Sequence, residues 1–189
     1  MRISGMAASS AAATKPHVGG SWMRNVAAMA VGSALLAVSA HVQVPFWPVR
    51  LSMQSFVVLA TGIACGGRLG AATLLAYLAE GALGLPVFQG GAGPAYMAGP
   101  TGGYLLGYLL AAATVGGLTD RGVTRRWPGR LAVLLLGEAL IYLPGVAWLA
   151  VLFGPAKSVA FGLVPFLPAE AVKLALAAVA SPFLRRGAR

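Results

Sequence analysis

Acid is the scarcest chemistry in this chain. Four aspartate or glutamate residues stand against fourteen lysines and arginines, and charged residues make up 10% of the sequence, where soluble domains carry about 25%. The single cysteine, Cys65, excludes an internal disulfide, and with only His17 and His41 beside it no cluster at metal-ligand spacing forms. Its place in the apolar stretch TGIACGG assigns it to packing. No G-x-x-x-x-G-K-[ST] loop occurs, which excludes phosphate cradling for ATP hydrolysis, and no H-E-x-x-H occurs, which excludes the zinc protease pattern. A net charge of +10 invites a nucleic-acid reading. The basic residues are not interleaved with aromatics in a polar domain, so membrane topology explains them better.

What remains is apolar. Hydrophobic residues make up 58% of the 189-residue chain, and mean hydropathy is +0.80. The expected class is an all-α integral membrane protein, a compact bundle of six transmembrane helices in one domain. The spans fall at about 24–43, 52–66, 69–84, 101–118, 131–153 and 159–183. Residues 1–20, rich in Ala, Ser and Gly, are expected to form a flexible cytoplasmic tail rather than a cleaved leader, ahead of a membrane domain at 21–189. The second and third spans are short and divided by GGRLG, which predicts a tight helical hairpin breaking at Gly66-Gly67. One long tilted helix is the alternative.

Charge placement sets the orientation. With a cytoplasmic N-terminus, the inner segments carry Arg2, Lys15, Arg24, Arg68, Arg121, Arg125, Arg126, Arg130, Arg185, Arg186 and Arg189, whereas the outer loops hold Arg50 and Lys157. The positive-inside rule then requires an even number of spans with both termini cytoplasmic. Small residues four apart, such as Ala30 and Ala34, Gly62 and Gly66, or Gly103 and Gly107, allow close helix approach in lipid. Pro144 predicts a kink in the fifth span, and Pro165 with Pro168 predicts an irregular start to the last.

Within that last span, FGLVPFLPAEAVKLALAAVA, stand Glu170 and Lys173. Their i, i+3 spacing puts both on one helix face, and ionisable groups at membrane depth commonly mark a substrate path. A helix-stabilising ion pair is the plainer alternative. Glu80 and Glu138 are further intramembrane carboxylates, read as structural or pocket-lining. Two outer loops suit ligand binding. VQVPFWPVRLSMQ brackets Phe46 and Trp47 with prolines, and GLPVFQGGAGPAYMAGPTGGY is long and uncharged, which favours a folded cap over a passive connector.

From about residue 41 to the C-terminus the chain resembles the BioY family, the biotin-binding S components of energy-coupling factor transporters. The resemblance rests on VPFWPVRLSMQSFVVLATG, AYLAEGALGLPVFQGG, GPTGGYLLGYLLAA and LVPFLPAEAVKLALA. It implies a multi-pass protein of the bacterial inner membrane that captures biotin at the outer face, with no cofactor and no enzymatic activity. Its implied partners are a transmembrane T subunit and a pair of cytoplasmic ATPases, which suits the missing P-loop. The ligand residues implied are Glu170, where many relatives carry Asp, and Lys173. A biotin carboxylate and ureido group also make Gln54, Tyr77, Gln89 and Tyr104 candidate polar contacts, with Trp47, Phe46 and Phe88 packing the ring. Either end of biotin suits Lys173, so the ligand's orientation stays open. On the first helix, Ala27, Ala30 and Ala34 fit the small-residue face by which S components contact the T subunit. The nearer alternative is an S component for a different vitamin. The competing class is an intramembrane enzyme using Glu80, Glu138 and Glu170, although no nucleophile–base arrangement accompanies them.

Overall fold

Gly66 reverses the chain. In the computed structural model, which describes residues 18–44, 47 and 49–187, this residue has φ 78° and ψ 177°, a conformation open essentially to glycine alone. It lies inside α2 (Gln54–Ala82) and divides it into arms at 54–65 and 67–82. The arms fold back on each other. A Cβ on Gly70 would sit 3.4 Å from the Gly62 Cα, and Gln54 Nε2 donates to the Tyr77 hydroxyl at 2.7 Å. In an unbroken helix those two residues would stand about 35 Å apart. The expected tail at 1–20 falls mostly outside the described residues, as do Arg2, Lys15, His17, Phe46 and Arg189.

The other elements surround this hairpin. α1 (Val18–His41) enters first, followed by β1 (Gln43–Val44) and β2 (Leu51–Ser52). These short strands pair antiparallel, Gln43 opposite Ser52 and Val44 opposite Leu51. After α2 come the one-turn α3 (Gly93–Met97), then α4 (Gly102–Asp120), α5 (Trp127–Phe153), α6 (Pro155–Gly162) and α7 (Leu167–Gly187). Among the described residues five helical stretches, Trp22–His41, Gln54–Ala82, Gly102–Asp120, Trp127–Phe153 and Pro155–Leu184, are long and apolar enough to cross a membrane. The chain is a multi-pass, helical membrane protein. Along α7, Val172, Leu176, Val179 and Phe183 form an exposed apolar stripe, the face such a helix turns to lipid.

Small residues let the helices meet backbone to backbone. A Cβ on Gly62 would approach the Ala112 carbonyl oxygen to 3.0 Å, and one on Gly107 would approach the Ile141 Cα to 2.7 Å. In lipid, where apolar surface gains little by hiding from its surroundings, such close contact supplies the attraction. α5 stays helical through Pro144.

The last segment differs from the single span expected at 159–183. α6 is a separate helix of 8 residues, joined to α7 by a 3-10 turn at Val164–Phe166. Pro165 sits in that turn and cannot donate a helical hydrogen bond, and Leu163 leaves helical geometry at φ −125°, ψ −59°. Apolar composition runs unbroken across the junction, so hydropathy could not reveal it.

The two ends of the bundle differ in charge. Arg68 follows the Gly66 turn, while Arg121, Arg125 and Arg126 lie between α4 and α5. Asp120 Oδ2 accepts the Gly67 N–H at 2.8 Å and joins these turns. The opposite end holds the β1–β2 pair, the 83–101 loop and the α5–α6 turn, tied by Tyr104 donating to the Gly162 carbonyl at 2.6 Å. Trp148 likewise donates to the Gly99 carbonyl at 2.9 Å. Arg50 and Lys157 belong to this end.

Candidate ligand-binding site

The first turn of α7 carries Glu170, which faces the start of α2 and the middle of α5. Glu170 Oε1 accepts from Lys173 Nζ at 2.8 Å and from the Tyr142 hydroxyl at 2.9 Å. Its Oε2 accepts from Ser55 Oγ at 2.8 Å. Lys173 Nζ also donates to the Ser52 carbonyl and to Ser55 Oγ at 3.1 Å. Both members of the pair are buried, 5% and 6% exposed. Burying two charges demands this degree of satisfaction, because each unmet bond would leave an uncompensated desolvation cost. Three elements therefore converge here: α7 brings the charges, the β2–α2 junction brings Ser52 and Ser55, and α5 brings Tyr142.

Glu170 forms part of the wall of a narrow cavity of about 30 Å³. Arg50, Gln54, Ser55, Gln89 and Tyr104 border it as well. Among the residues anticipated from the sequence, Gln54, Gln89, Tyr104 and Glu170 thus meet at one cavity. Tyr77 stands behind it. Its hydroxyl accepts from Gln54 and donates to the Val87 carbonyl at 2.9 Å, so it anchors both Gln54 and the 83–101 loop. Phe88 is buried in the same layer, 5.4 Å edge-on to Tyr77 and stacked 5.0 Å from Tyr96.

Trp47 lies elsewhere. It is 68% exposed and packs edge-on against Phe153 and Phe161, bordering a second, apolar cavity with Lys157 and Ser158. Ala27, Ala30 and Ala34 share an exposed face of α1, away from the Glu170 cavity. Glu80 accepts a hydrogen bond from Ser33 of α1. Glu138 is 7% exposed, and neither of its oxygens has a hydrogen-bond partner among the described residues. Glu170 and Lys173 are near enough to interact with it electrostatically.

Sequence reasoning missed Ser52, Ser55, Tyr142 and Arg50. Tyr142 stands one helical turn beyond Glu138, and that i, i+4 pairing of polar groups in an apolar span was a usable signal. Ser55 follows Gln54 and reads as an ordinary helix-start residue. At the mouth, burial raises the pKa of the Tyr96 phenol above its usual value, which keeps it a neutral hydrogen-bonding group.

Among the described residues no group of His, Cys, Asp and Glu has the geometry to hold a metal ion. What the site offers is a buried carboxylate, pinned on one oxygen by two donors and on the other by one, beside uncharged hydrogen-bonding groups. Such an arrangement suits a compact polar ligand that presents N–H donors.

A family model described as the BioY family matches residues 7–189. The chain is 37% identical over 157 residues to a probable biotin transporter BioY of Pyrococcus horikoshii, covering 82% of this chain and 93% of that protein. It is 33% identical over 166 residues to the biotin transporter BioY of Thermotoga maritima, covering 87% and 97%. Among solved structures it is similar to the S-component for biotin from an ECF-type ABC transporter, with a TM-score of 0.78 at 25% identity, covering 89% of this chain and 94% of that one.

Proposed function

The chain belongs to the BioY family, and we propose from that membership that it is the biotin-binding membrane component of a vitamin importer. It captures biotin at the outer face and carries out no enzymatic step of its own. The observation that carries this reading is the buried Glu170 network on the cavity wall. Biotin presents two ureido N–H donors and one carbonyl acceptor, and a carboxylate is the matching acceptor for the donors. Gln54, Gln89 and Tyr104 supply further polar contacts, Tyr77 and Phe88 support them from behind, and Lys173 pairs with Glu170 and holds it in place. Trp47 lies outside this cavity, where an amphipathic ring suits the membrane interface.

The membrane arrangement we favour has six spans, the two arms of α2 each crossing separately. At 1.5 Å per residue the arms are only about 18 and 24 Å long, short for a ~30 Å hydrocarbon core. Their burial against α1, α4 and α7 supports the reading, because protein shields the backbone that lipid cannot satisfy. Both termini belong at the arginine-rich end, in the cytoplasm of a cell whose inner membrane the protein occupies. Its partners are a transmembrane T subunit and cytoplasmic ATPases, with Ala27, Ala30 and Ala34 as the docking face. Those alanines are exposed on α1 while Ser33 and Leu36 face inward, which leaves a small-residue surface open to another helix.

Calorimetry on the detergent-solubilised chain without ATP tests the central claim: saturable, stoichiometric biotin binding is expected, and absence of heat sinks it. A vitamin panel in thermal-shift assays separates biotin from another vitamin as ligand. For the docking face, Ala30→Leu is expected to lower co-purification of the T subunit while biotin affinity stays within about twofold, since the leucine props apart only the helices across that surface. Unchanged partner recovery moves the docking face elsewhere.

A further inference from the structure

Biotin has two unlike ends, a ureido ring that donates N–H bonds and a valerate chain that ends in an anion. Glu170 provides for the first. Lys173 is the obvious cation for the second, yet an ammonium has three donors, and all three are engaged: the Ser52 carbonyl, Ser55 Oγ and Glu170 Oε1. Its charge is also compensated by the ion pair with Glu170 at 2.8 Å. A carboxylate brought to Lys173 would compete with Glu170 for the same ammonium and stand beside Glu170, against like charge.

Arg50 has neither restriction. Among the described residues it is the one cation bordering the Glu170 cavity, and no carboxylate pairs with it. It stands where that cavity adjoins an outer groove, and Arg50, Gln89, Tyr96 and Thr101 border both spaces. The guanidinium rests against Gly90. A Cβ at that position would come within 2.6 Å of Nη1, and the backbone there has φ +75°, so glycine both permits the turn and makes room for the arginine. Guanidinium also matches carboxylate geometrically, two parallel N–H bonds meeting two oxygens.

We propose that biotin lies with its ureido ring toward Glu170 and its valerate carboxylate at the mouth of the cavity on Arg50. This orientation rests on the biotin reading above and assigns to Arg50, a residue of the outer loop, the selection of the acid over neutral forms of the vitamin. Glu170 then recognises the ring and Arg50 the tail, while Lys173 acts through Glu170.

The test compares biotin with its primary amide, which is nearly isosteric and uncharged, on the full solubilised chain. Wild type is expected to prefer the acid by about tenfold, equivalent to 1.4 kcal/mol, a modest preference because Arg50 is solvent-exposed and its pairing is screened. Arg50→Gln should abolish that preference by weakening acid binding, leave amide affinity within about twofold, and lose the salt sensitivity of acid binding. Lys157→Gln should leave all three unchanged. An Arg50→Gln protein that still prefers the acid overturns the assignment, and so does one that loses acid and amide equally. Wild-type protein that binds neither compound refutes the biotin reading itself, a result distinct from either.

Discussion

Two carboxylates at opposite ends of the bundle accept hydrogen bonds of similar length and do different work. Asp120 sits exposed at the arginine-rich end and accepts the Gly67 N–H at 2.8 Å, supplying a negative charge to the start of the 67–82 arm. That is a helix-capping role reached across 53 residues of sequence. Glu170 sits buried at the other end with three side-chain donors around it. Water can replace what Asp120 does. Nothing in the interior can replace the donors of Glu170, so its network must remain complete or be completed by a ligand. Burial, rather than the carboxyl group, separates structural from binding chemistry.

The strongest way to break this comparison is to remove one member of the buried pair. Glu170→Ala and Lys173→Ala are each expected to weaken biotin binding at least about thirty-fold, the low end of the ~2–5 kcal/mol lost when a desolvated charge is left without its partner. Glu170→Asp should be far milder because it keeps the acceptor. The double alanine protein separates ligand contact from internal pairing: thermal stability recovers while calorimetric affinity does not. Near-native affinity in the double variant would remove the ligand role from the pair.

Asp120→Ala tests the other end. Loss of a cap of this kind costs about 0.5–2 kcal/mol, so a lowered unfolding temperature with unchanged biotin affinity is expected. An affinity loss to match that of Glu170→Ala would mean the two ends are coupled. The smallest effect is expected at Glu138, whose oxygens make no hydrogen bonds among the described residues. Glu138→Met removes a desolvated group without orphaning a partner, and thermal stability should hold or rise with affinity within about twofold. A marked affinity loss would bring Glu138 into the binding network.

Part of this comparison is legible in the sequence alone. The break at Gly66-Gly67, the irregular start of the last helix and the placing of Glu170 and Lys173 on one helix face all have local causes: glycine's dihedral freedom, proline's missing donor, the i, i+3 spacing. Trp47 shows where local reasoning stops. Its loop adjoins the site in sequence, yet the side chain packs on Phe153 and Phe161, because folding of α6 carries an aromatic surface to that edge. The separate helix α6 is equally hidden, since an apolar run reads the same whether it is straight or broken.

Composition and charge placement suffice for a helical, multi-pass membrane chain with most of its arginines gathered at one end, since hydrocarbon admits only backbones that satisfy themselves and basic loops stay mainly on one side. Family membership is likewise written in the order of short blocks along the chain. Assembly of the site was decided in three dimensions. Ser55 and Glu170 are 115 positions apart and Lys173 and Ser52 are 121 apart, so neither contact leaves a periodic trace. Only the packing of α7 against the β2–α2 junction determines that Lys173 is saturated and that Arg50 is the cation left facing the cavity.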